Sequence, residues 1–77
     1  MIPYGNLGST DPEDLQSNGV WTINGNSGSK IPFSYGTLLV FCNPGGSYTV
    51  TLVAFNRETN GFKVKFKSSN GTLGSWR

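Results

Sequence analysis

Lys63, Lys65 and Lys67, set at alternate positions in FKVKFK, form the densest chemistry-bearing pattern in this 77-residue chain. At a spacing of two they point to one side of a strand, while Phe62, Val64 and Phe66 point to the other. A basic stripe of this kind suits anionic surface polymers such as phosphorylated lipopolysaccharide core or teichoic acid and, in a second reading, nucleic-acid phosphates. A nucleic-acid platform needs rings and charges on one exposed face, because bases stack on the rings while cations meet the phosphates. Period two separates them here, so Phe62, Val64 and Phe66 are expected in the core and the three lysines in solvent.

Sugar recognition calls for rings against sugar faces and for amide or hydroxyl groups against sugar hydroxyls. Tyr35, Asn43, Tyr48, Arg57 and Asn60 fall at expected strand ends or loops and join Lys63, Lys65 and Lys67 as candidate binding residues. Catalysis is not expected. Hydrolysis by paired carboxylates needs two acids flanking a cleft, whereas Asp11, Glu13 and Asp14 share one short segment and Glu58 lies in a hairpin. Ser and Thr are plentiful, but with no His to act as base the usual nucleophilic arrangement is missing. Cys42, the one cysteine, sits in an apolar run and reads as a small buried hydrophobe; alone it makes neither an internal disulfide nor a Cys/His zinc site. No metal or cofactor is implied. Asn70-Gly71-Thr72 matches a glycosylation sequon and reads more simply as a turn.

The elements that must position these residues are short strands. A net charge of +2 is far below that of a dedicated nucleic-acid binder. No segment reaches the roughly 20 apolar residues of a membrane span, so no membrane insertion is expected. MIPYGNLG has neither the basic nor the apolar region of a signal peptide, so nothing directs secretion. Residues 1–10 read as a lead-in. Asp11 suits an N-cap with Pro12 at the first position of a short helix, which Gly19 would stop. Strands are expected at Val20–Asn24, with Trp21 in the core, and then at Thr37–Asn43, Tyr48–Asn56 and Phe62–Ser69, with Thr72–Arg77 as a short edge segment. Asn60-Gly61 is the strongest hairpin signal. Thr37–Asn43 and part of Tyr48–Asn56 are apolar on both sides, so both faces of the sheet call for cover. The helix can cover one; so short a chain has little left for the other, which points to another subunit. Trp76 is expected to fold back onto the sheet and pin the C-terminal segment.

The ordered pieces DLQSNGVWTI, GTLLVF, SYTVTLVAF, FKVKFKSSNG and the closing GSW resemble the knob-type modules of phage tail fibres and R-type pyocin fibres. The likeness runs from about Asp14 to Arg77. It departs at Asn70–Leu73, where that family often has a Gly pair and a further aromatic, and in the loop from Gly25 to Ser34. The resemblance implies a homotrimeric fibre module of the virion, joined to neighbouring fibre or tail domains. Such a module acts in structural support or in binding host surface polysaccharide, without catalysis. The expected fold is therefore mostly β, or small α+β: an antiparallel meander of three to five strands with one short N-terminal helix, in a single domain whose knob-like part is residues 11–77. The alternative function is a small nucleic-acid-binding β-barrel using the Lys63/Lys65/Lys67 face.

Overall fold

The computed structural model describes residues 2–8, 10–12, 15, 17–25, 31–42, 48–68 and 74–77, with backbone alone at 48 and 49. The alternating segments form one sheet of five strands in sequential order: β1 (Ile2–Asn6), β2 (Gly19–Asn24), β3 (Tyr35–Cys42), β4 (Tyr48–Asn56) and β5 (Phe62–Ser68). Strands β2 to β5 are the expected antiparallel meander. Two expectations at the N-terminus are corrected. Residues 2–6 are no lead-in but a strand, and it runs parallel to β2, which makes the sheet mixed. There is also no α-helix among the described residues; around Pro12 a single tight turn remains, in which the Leu15 N–H donates to the Pro12 carbonyl. Both corrections have one cause. A parallel pair needs a crossover of about a dozen residues, and the sequence between β1 and β2 has that length. Of its described residues, Leu7 and Pro12 are buried and Leu15 packs on the core.

That face is the core. Trp21 and Ile23 of β2, Leu38 and Val40 of β3, and Val50, Leu52 and Ala54 of β4 share it. Leu7, Leu15, Ile31, Phe33 and Trp76 cover it from the connections and the C-terminal segment. Cys42 is half-buried at its margin, as a small apolar residue would be. Glycine is required at two close approaches. A side chain at Gly19 would run into the Tyr4 ring, which stacks on Trp21 at 4.6 Å between centroids, and one at Gly36 would run into the Phe55 carbonyl.

Trp76 takes the position expected of it. The Arg77 N–H donates to the Val64 carbonyl at 3.0 Å, the Val64 N–H returns to the Arg77 carbonyl at 2.9 Å, and the Gly74 N–H reaches the Phe66 carbonyl at 3.0 Å. These bonds lay residues 74–77 along the outer edge of β5, so a segment that would otherwise fray is held. The indole is half-buried against the core.

The orientation of β5 is the reverse of the expectation. Cross-strand partners share a face, and Lys63, Lys65 and Lys67 pair with Ala54, Leu52 and Val50 on the core side. Lys65 is 9% exposed, with its ammonium 5.7 Å from the Trp76 ring centre. Phe62 and Phe66, expected in the core, are instead 63% and 46% exposed. The lysine stems are long enough to lie on apolar surface at the sheet edge, and the Trp76 ring gives the Lys65 charge a partner. A one-residue shift of register would exchange the two faces, and the turn between β4 and β5 holds the observed one.

Candidate functional site

Turn chemistry fixes the corner where three of the candidate residues, Tyr35, Arg57 and Asn60, meet. In the β4–β5 turn the Asn60 N–H donates to the Asn56 carbonyl at 3.0 Å, and the Asn56 N–H to the Gly61 carbonyl at 2.8 Å. Of the Asn60-Gly61 pair only Asn60 takes a left-handed backbone, at φ 59°, a conformation Asn tolerates better than most residues. The Asn56 side-chain oxygen accepts the Glu58 N–H at 2.9 Å, and the Thr59 hydroxyl accepts the Gly61 N–H at 3.3 Å. Arg57 is held to the start of β3 twice. Its N–H donates to the Tyr35 carbonyl at 3.1 Å, and its guanidinium lies 4.7 Å from the centre of the Tyr35 ring.

Beside this corner a cleft of about 600 Å³ opens at the end of the sheet. Strand register brings its walls together: Thr22 pairs with Thr37, and Gly36 with Asn56. Thr22, Ile23, Asn24, Gly36, Thr37, Phe55, Asn56, Arg57, Asn60 and Gly61 line it, residues whose side chains include two hydroxyls, three amides, one guanidinium and one phenyl ring. No carboxylate is among the described lining residues.

The predicted binding set is thus divided. Tyr35, Arg57 and Asn60 come together at the cleft. Tyr48 begins β4 at the opposite end, some 25 Å away at about 3.3 Å per residue, and Asn43 lies outside the described residues. Of the lysines, Lys63 is exposed, Lys67 half-buried and Lys65 buried, so they do not form the solvated stripe that was expected. Thr22, Asn24, Thr37 and Asn56 were not foreseen: each reads as an ordinary strand residue, and only the pairing register collects them. No cluster of three or more His, Cys, Asp or Glu side chains suited to a metal stands among the described residues.

The second surface is the face of the sheet opposite the core. Across β2 to β5 it carries Val20, Leu39, Phe41, Val53, Phe55, Phe62, Val64 and Phe66, with Thr22, Thr37 and Thr51 between them and no charged residue. Phe41 and Phe55 are 40% and 41% exposed, close to Phe66. With roughly 200 Å² per ring, the four phenylalanines alone leave on the order of 400 Å² of apolar surface in water, which already matches the largest patch of a typical monomer. No family model matches the chain, and neither a curated protein nor a solved structure matches it.

Proposed function

We propose that this chain is a non-enzymatic assembly module of a phage-type tail fibre, whose copies associate through the uncharged face of the sheet and leave the turns at its ends for contact with the host surface. One observation carries the reading: β5 turns Phe62, Val64 and Phe66 away from its own core and three lysines toward it. A chain that worked alone would be favoured by the opposite register. The observed one is favourable when the outer face is itself covered, because burying about 400 Å² of apolar surface is worth on the order of 10 kcal/mol per copy before the entropic cost of association.

The dimensions suit three copies. Strands about 4.8 Å apart make a four-strand face about 19 Å wide, and three such faces around a threefold axis leave an inscribed radius of about 5.5 Å, close to the roughly 5 Å half-spacing of packed sheets. Side chains from each face would meet at the axis. The resemblance to fibre knobs is independent support, since those modules are trimeric parts of virions that attach to hosts. A nucleic-acid role draws no support from this arrangement. Phe41, Phe62 and Phe66 have no cation on their face, and Phe55 meets only Arg57, at the cleft, whereas a stacking platform needs rings and cations together.

Sedimentation equilibrium at micromolar concentration tests the proposal. The expected mass is about 25 kDa, three times the 8.3 kDa chain, falling to a single chain in a Phe62→Ser/Phe66→Ser variant. A wild-type chain that stays at 8.3 kDa throughout would refute it.

A further inference from the structure

We infer that the cleft at the turn end of the sheet is a binding site for an acidic sugar, a saccharide unit bearing a carboxylate or a phosphate. The inference rests on the fibre reading only for where such a sugar would be met; the chemistry of the cleft stands without it.

The lining divides into parts that match such a ligand. Thr22 and Thr37 hydroxyls and the Asn24, Asn56 and Asn60 amides both donate and accept, as sugar hydroxyls do. Phe55 offers an apolar surface for the C–H side of a ring. Arg57 is the one charge among the described lining residues, and a guanidinium suits the paired oxygens of a carboxylate or phosphate. The volume, about 600 Å³, lies inside the roughly 300–1,000 Å³ range of small-molecule sites.

Several of these groups are held in place before any ligand arrives. Tyr35 positions Arg57 through both backbone and ring. The Asn56 side-chain oxygen is engaged by the Glu58 N–H, which leaves its NH₂ to donate. Asn60 is fixed by its left-handed backbone within the turn. Held groups of this kind reduce the ordering cost of binding. In an assembly through the apolar face, the cleft sits at the rim and shares Thr22, Thr37 and Phe55 with that face, so a bound sugar would lie against the edge of the interface.

The test is a titration followed by amide NMR with three probes: trigalacturonate, glucose 6-phosphate and neutral maltotriose. Saturable shifts at Thr22, Thr37, Asn56, Arg57 and Gly61 are expected with at least one acidic probe, and weaker binding with the neutral one. Arg57→Gln is expected to weaken the acidic probe about tenfold. Arg77→Gln, which removes the same charge from an exposed position outside the cleft, should leave affinity within about twofold. Equal losses in the two variants, shifts that map elsewhere, tighter binding of maltotriose, or no saturation with either acid by about 10 mM would each overturn the inference. The mass of the same samples keeps the two proposals apart. A monomer that binds the acid refutes assembly alone, and an oligomer that binds neither acid refutes the cleft alone.

Discussion

Trp76 and Gly36 show how much single residues do in so small a sheet. The indole covers the edge of the core beside Lys65, while backbone bonds on either side of it tie residues 74–77 to β5. Trp76→Ala removes that cover and a partner for a nearly buried ammonium, so it is expected to lower stability by about 2–4 kcal/mol in urea denaturation at fixed chain concentration, with Trp76→Phe losing much less. An unchanged midpoint for Trp76→Ala would mean that the indole is not packed. Gly36 is constrained differently, because its missing side chain allows the Phe55 carbonyl to approach. Gly36→Ala should cost about 3 kcal/mol through strain in the β3–β4 pair, read by the same measurement, and an effect below about 0.5 kcal/mol would contradict the close approach. Asn60 offers a gentler check. Asn60→Gly keeps the left-handed backbone at little cost, whereas Asn60→Val should lose about 1–2 kcal/mol.

Strand β5 separates what the sequence makes legible from what it does not. Alternation in FKVKFK divides the residues into two sets correctly, but a period of two carries no sign: it cannot say which set meets the core. That choice is made by distant residues, through Trp76 beside Lys65 and a turn that pairs Phe62 with Phe55. The antiparallel strands were readable because each is a run of alternating or doubly apolar residues bounded by turn formers. Strand β1 was hidden, since IPYGN holds a Pro and a Gly, lacks alternation, and pairs across a crossover that no local pattern reports. At the cleft, Tyr35, Arg57 and Asn60 could be picked out as strand-end residues, whereas the threonines and Asn56 emerge only from the register. The orientation of β5 is itself testable. In dilute solution, where chains are separate, Phe62→Ser and Phe66→Ser should each change stability by less than about 1 kcal/mol, while Leu52→Ala should cost about 2–5 kcal/mol. Phenylalanine variants as costly as Leu52→Ala would place the rings in the core and reverse the argument.

At the scale of the whole molecule, a single sheet with one covered face and, among the described residues, one apolar face that carries four exposed phenylalanines is half of a packed structure. Two-layer architecture is the usual way for a sheet to shield its faces, and here the described residues of the connections pack on the core face. The chain's unfolding should accordingly depend on its concentration, with a midpoint temperature that rises as chains are added. The most direct measurement is an isotope-filtered NOE experiment on a mixture of labelled and unlabelled chains. Contacts are predicted between the Phe62 and Phe66 rings of one chain and Phe41, Val53 or Val64 of another. Inter-chain contacts that arise only from β1 or from the core face, or none at a concentration where the mass exceeds one chain, would contradict assembly through this face.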